Sequence, residues 1–138
     1  MDTSKLNIGD AYQKQIYDYI RDYHPQLFLD EDEMVQIVID RANSAQEAFT
    51  KETLRGGNYL EAKYEANQAL HAGLVFSPCS YIKEFYEELH NDIIENEQAV
   101  EIWLETKDIF PKYGEDFEGT DAEDNLREEL EPFMKLKQ

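Results

Sequence analysis

Apolar residues recur at intervals of three and four positions along most of this chain, and that spacing restricts the fold more than any other feature. The clearest example is the stripe of Tyr12, Ile16, Tyr19, Ile20 and Tyr23. A helix of 3.6 residues per turn gathers such residues on one side, whereas a half-buried strand needs strict alternation. The sequence contains no alternating run bounded by turns and no internal repeat. It therefore predicts an all-α fold, a single compact bundle of five to six helices.

Glycine, proline and capping residues mark where these helices begin and end. Pro25 stops the first helix, because the residue before a proline disfavours the helical region. Gly56 can adopt the left-handed conformation that ends a helix. Pro78 suits a first helical position, where its missing N–H is not needed. Six helices are predicted. The first covers 10–23, the second runs from a cap at Asp30 to Gly56-Gly57, and the fifth covers 97–113. Asn58, Ser77 and Thr120 cap the third, the fourth and a short sixth helix, and Glu33, Glu61 and Glu123 are the expected capping-box partners of Asp30, Asn58 and Thr120.

The same spacing predicts buried faces, most clearly in the helix that Ser77 starts. Its expected buried residues are Ile82, Phe85, Tyr86, Leu89 and Ile93. The turn before it, with Gly73 and an inward-packing Phe76, has the form of a corner between two helices.

The composition changes at Gly114. This change predicts a helical bundle domain at 1–113 and an acidic C-terminal loop plus short helix at 114–138, where nine acidic and three basic residues give a net charge of −6. The segment either docks on the bundle through its apolar residues or frays. Those residues are Phe117, Leu126, Leu130 and Phe133.

The net charge of −18 on 138 residues restricts the function more than any motif does. It opposes direct nucleic-acid binding, which relies on Lys and Arg replacing counterions, and it opposes adhesion to anionic membranes. It favours attraction to a protein partner with a basic surface. Part of this charge is also the ordinary solvated surface of an acidic protein.

The chain has one cysteine and therefore no internal disulfide. Its N-terminus has no apolar signal region, and no run approaches about 18 apolar residues. These features predict a cytoplasmic location. No Walker loop, GxGxxG or CxxC motif is present.

The candidates for chemistry concentrate in residues 70–90, LHAGLVFSPCSYIKEFYEELH. Cys79 lies in the first turn of a helix, where the helix dipole can lower the pKa of a thiol, but a nucleophile also needs a base. His90 follows eleven residues later, about 16 Å along the same helix. His71, near the end of the preceding helix, is explained as a cation at a helix C-terminus or as a half-buried core residue. We expect Cys79 to fill a helix corner, and no catalytic residue; an enzyme using Cys79 or His71 is the alternative.

Metal and cofactor sites are not predicted. Glu87 and His90 form an E-x-x-H pair, but di-iron bundles need two such pairs and two further carboxylates. The acidic run 30–33 is explained as favourable charge at a helix N-terminus. The run 115–119 lacks the spacing of an EF-hand loop.

Four tyrosines crowd the first helix. Three of them, Tyr12, Tyr19 and Tyr23, lie on the apolar stripe and are expected to pack between helices. Tyr17 lies off the stripe, where it can mark an interface, since tyrosines are enriched there. An uncovered apolar stripe on the first or the last helix would allow a homodimer.

Three stretches carry a family resemblance: YDYIRDYHP at 17–25, RANSAQEAFTKETLRGG at 41–57, and EANQALHAGLVFSPCSYI at 65–82. Over roughly residues 12–110 the chain resembles the small bacterial proteins grouped as domain of unknown function family 1896. The resemblance implies an all-helical fold, a cytoplasmic location and frequent carriage on mobile elements, and it supplies no activity or site residues. In that family a Lys or Tyr often follows Phe-Ser, whereas Pro78-Cys79 stands here, which weakens a catalytic role for Cys79.

Together these features predict a non-enzymatic protein-interaction module whose partner has a basic surface. Two alternatives remain open. One is an anionic decoy that mimics DNA and occupies a nucleic-acid-binding protein. The other is an enzyme that uses Cys79 or His71.

Overall fold

The structure is a computed structural model that describes residues 5–7 and 9–135. The described residues form six α-helices and no strand, so the prediction of an all-α fold with five to six helices is confirmed. The helices are α1 Ala11–Tyr23, α2 Glu31–Leu54, α3 Tyr59–Leu70, α4 Pro78–His90, α5 Asn96–Thr106 and α6 Asp121–Leu130. Short 3₁₀ turns lie at Pro25–Leu29, Phe110–Lys112 and Glu131–Phe133.

The chain divides into two compact units, the first ending at Val75 and the second beginning at Phe76. The first unit contains α1, α2 and α3, and the second contains α4, α5 and α6. The change of composition at Gly114 falls inside the second unit. Each unit has a hydrophobic core of its own.

The first core is formed where α2 packs against both α1 and α3. Alanines at Ala45 and Ala66 let α2 and α3 approach closely, since a methyl group adds little bulk. Larger side chains from all three helices fill the remaining space: Ile16, Ile20, Met34, Val35, Val38 and Leu70.

The second core is rich in aromatic rings. Phe76 and Tyr81 meet the ring of Phe117 edge-on, with centroids 5.4 and 5.1 Å apart, in the geometry that aromatic pairs prefer. Leu126 and Leu130 of α6 are fully buried in the same core. Residues of the acidic C-terminal segment therefore supply part of the core of this unit.

The predicted N-caps of α2, α3 and α4 are confirmed. The side chains of Asp30, Asn58 and Ser77 each accept a bond from a main-chain N–H of the first turn. Asn58 and Glu61 also form the reciprocal capping box that their spacing predicts. Gly56 ends α2 with a φ of +96°, the left-handed conformation expected of it.

The capping box predicted for α6 is wrong. Thr120 holds the N-cap position, but its hydroxyl donates to the carbonyl of Phe117 at 2.6 Å. The main-chain N–H of Thr120 also donates to that carbonyl, at 3.0 Å, so it does not need the carboxylate of Glu123. Glu123 instead accepts from the N–H of Gly119 at 3.0 Å.

The buried face predicted for α4 is correct for Ile82, Phe85 and Tyr86 and wrong at its end. Leu89 is 38% exposed and Ile93 is 73% exposed. Asn91 adopts the left-handed conformation with a φ of +52° and ends the helix after His90. The chain turns there, and Ile94 is buried in place of Ile93.

Two further boundaries differ from the sequence prediction. Helix α5 ends at Thr106 rather than near residue 113, and Pro111 instead lies in a 3₁₀ turn. From Thr106 onward main-chain bonds span three residues, with the N–H of Ile109 donating to Thr106 and the N–H of Lys112 donating to Ile109, so the chain leaves the α-helix before it reaches Pro111. After α6, the turn at Pro132 exposes Phe133, and Met134 takes the buried position.

The cap at Ser77 gives a direct test of the α4 boundary. Ser77→Ala removes the hydroxyl that accepts the N–H of Ser80 at 3.0 Å, and we expect a loss of about 1 kcal/mol in the free energy of unfolding. Chemical denaturation measures this loss. Ser80→Ala retains the N–H donor and is the matched control. Equal stability of Ser77→Ala and wild type would show that Ser77 does not cap α4.

Candidate functional site

Cys79 is a core residue in the structure. It lies in the first turn of α4, and its side chain is 1% exposed and packs in the second core. Burial among aliphatic and aromatic side chains restricts access to the thiol. These surroundings match the expectation that Cys79 fills a helix corner.

His71 lies at the C-terminal end of α3, in the first unit. Its Nδ1 is 3.0 Å from the carbonyl oxygen of Asn67, one turn earlier, and its ring meets Tyr19 edge-on at 4.7 Å. The ring is half-buried. A main-chain carbonyl of its own helix therefore occupies one ring nitrogen, and an aromatic ring covers one side.

His24 and Tyr19 converge on one main-chain carbonyl of the first unit. The hydroxyl of Tyr19 donates to the oxygen of Leu74 at 2.9 Å, and Nε2 of His24 lies 2.6 Å from the same atom. A carbonyl oxygen only accepts, so Nε2 of His24 carries the proton. Burial, and then the neighbouring Tyr23, raise the pKa of Tyr19. The two donors fasten the chain after α3 to the end of α1, a contact that nothing in the local sequence predicts.

The E-x-x-H pair of α4 is split between two environments. Glu87 is exposed to solvent, whereas Nε2 of His90 bonds the carbonyl of Met134 and its ring packs on Tyr86 with centroids 4.7 Å apart. Within residues 5–7 and 9–135, no group of three or more His, Cys, Asp or Glu side chains is arranged to hold a metal ion.

The acidic run 30–33 serves local structure, and the run 115–119 lies in a loop that other residues hold. Asp30 caps α2, and three acids follow in its first turn, where the helix dipole favours negative charge. In the run 115–119, Phe117 is buried and Gly119 has a φ of +78°. That loop is held by a core side chain and a left-handed glycine.

The tyrosines of α1 have different roles. Tyr12 and Tyr19 are half-buried against the first core, whereas Tyr23 is 48% exposed. Tyr17, off the apolar stripe, also packs on this core and meets the ring of Phe28 edge-on at 5.6 Å. The expected exposed interface tyrosine is therefore part of the packing of the first unit.

The second unit contains a connected group of polar side chains that sequence reasoning missed. The hydroxyl of Tyr81 donates to Glu123 at 2.6 Å and accepts from Nε of Arg127 at 2.9 Å. Arg127 also pairs with Glu88, and its guanidinium lies 4.6 Å from the centre of the Phe85 ring. These bonds join α4 to α6 across about forty positions of sequence, so no local pattern indicates them.

This network shifts the pKa values of its members. Burial, and then the bond to Glu123, raise the pKa of Tyr81 far above its ordinary value. The bond from Tyr81, and then the N–H of Gly119, lower the pKa of Glu123. The bond to Glu88 raises the pKa of Arg127. Tyr81 therefore stays a neutral donor, and Glu123 and Arg127 stay charged, which suits an anchor between two helices better than a proton-transfer site.

The most distinctive stretch of the second unit is rich in exposed carboxylates and contains no Lys or Arg of its own, although Arg127 pairs with Glu88 and the ammonium group of Lys83 donates to Asn96. We call residues 84–106 the acidic segment; it contains eight Asp or Glu residues and no Lys or Arg. All eight are exposed. Glu97, Glu101 and Glu105 follow one another at intervals of four and form one row along α5. The eight residues are Glu84, Glu87, Glu88, Asp92, Glu95, Glu97, Glu101 and Glu105.

A surface of this kind attracts cationic side chains. Carboxylates accept hydrogen bonds from Lys and Arg, and a patch of one sign accelerates the approach of an oppositely charged partner. The salt bridge from Arg127 to Glu88 lies at one end of the segment.

Comparison with known proteins gives one family match. The model of the family described as "Domain of unknown function (DUF1896)" matches residues 9–137, which includes the acidic C-terminal part. No curated protein and no solved structure matches the chain. Among the described residues, no helix has the length and apolarity that crossing a bilayer requires.

The lowered pKa of Glu123 predicts how stability depends on pH. Because its pKa is lower in the folded state, its bonds stabilise the fold above the ordinary Glu pKa of about 4.3, and the stabilisation is lost as the pH falls through the folded value. We expect Glu123→Gln to cost about 1 kcal/mol at neutral pH, with a difference from wild type that shrinks in acid. Denaturant unfolding across pH measures this.

Glu128→Gln is the control for that experiment, since Glu128 lies on the same helix with an exposed side chain. It should leave the pH dependence almost unchanged. A difference between Glu123→Gln and wild type that stays constant into acid would contradict the assigned role of the Glu123 carboxylate.

Proposed function

The chain belongs to the DUF1896 family of domains of unknown function, and on this premise we propose that it is a non-enzymatic protein-interaction module that binds a partner with a basic surface. The proposal includes a cytoplasmic location. The observation that carries it is the acidic segment, with eight exposed carboxylates and no Lys or Arg over residues 84–106.

Like charges in this segment oppose folding. Pairs of carboxylates at a spacing of four in a helix destabilise it by about 0.2–0.5 kcal/mol each, and α5 has two such pairs in the row Glu97, Glu101 and Glu105. A basic surface placed against the row would turn this repulsion into attraction. Attraction to such a partner would offset the loss of folding stability that the repulsion between these carboxylates causes.

The chemistry of the segment favours a protein partner. Nucleic-acid backbones and the inner leaflet of membranes are anionic and would be repelled. Lys and Arg side chains on a protein would be attracted, with an association rate that falls as salt screens the charges over about 10 Å.

The test is capture of partners from source cells by the tagged full chain, at low and at high salt. We expect a partner that is retained at low salt and lost at high salt. The triple variant Glu97→Gln, Glu101→Gln, Glu105→Gln should capture it several-fold less well, since exposed charge pairs contribute up to about 1 kcal/mol each. Quantitative mass spectrometry gives the ratio.

A second triple variant serves as the control for net charge. Asp40→Asn, Glu47→Gln, Glu131→Gln removes the same charge from exposed positions outside the acidic segment. Capture should be close to wild type. Equal loss with both variants would show that only net charge matters, and a partner that tolerates high salt would contradict the proposal.

The identity of the captured protein separates the proposal from the decoy alternative. If the partner is a DNA-binding protein, and DNA displaces this chain from it, the chain acts as an anionic decoy. If DNA does not compete, the acidic segment binds a basic surface of another kind.

The charge row also predicts a gain in stability. Glu105 is near the C-terminus of α5, where the helix dipole disfavours an anion, and it is four residues from Glu101. We expect Glu105→Gln to raise the free energy of unfolding by a few tenths of a kcal/mol. Glu97→Gln, near the N-terminus of the same helix, should give no gain. Denaturant unfolding of the two variants checks this, and a loss of stability with Glu105→Gln would contradict the assignment.

A further inference from the structure

We draw no further inference here: the strongest candidate, the exposed apolar side chains of Leu54, Tyr59, Leu60 and Tyr64 at the end of α2 and along the outer side of α3, lies among three bases and three acids over residues 51–65, so nothing in the structure shows what covers it.

Discussion

Folding of this chain sets the burial of apolar helix faces against the mutual repulsion of a net charge of −18. Each of the two units buries apolar residues in a core of its own. The acids are therefore kept at caps, in first turns or on exposed helix sides, where water or main-chain N–H groups solvate them. Asp30 and Glu61 illustrate the first two positions, and the row on α5 illustrates the third.

A few charged and polar side chains form bonds that connect separate segments of the chain. In the second unit, Arg127 neutralises Glu88 and bonds Tyr81 while its guanidinium packs on the ring of Phe85. In the first unit, Tyr19 and His24 share the carbonyl of Leu74. Both groups connect segments distant in sequence. They place these side chains in structural roles, as connections between helices and turns.

The acidic segment is the surface on which the proposed binding of a partner depends. The acidic segment exposes more charged than large apolar side chains. It therefore favours fast association that weakens as salt is added. The outer side of α3 exposes Leu60 and Tyr64 beside acids and bases alike.

The sequence alone determined the local features: the helical class, the caps at Asp30, Asn58 and Ser77, the helix end at Gly56 and the sign of the surface charge. The caps and the helix end depend on contacts within about one turn, the helical class on the spacing of apolar residues, and the charge on composition, so none of them needs a contact between distant residues. The tertiary structure alone decided that Ile93 is exposed while Ile94 is buried, and that Leu60 and Tyr64 face solvent. It also decided that Arg127 meets Tyr81. These outcomes depend on how each helix is rotated and where it ends against its neighbours, and that is fixed by packing between residues tens of positions apart.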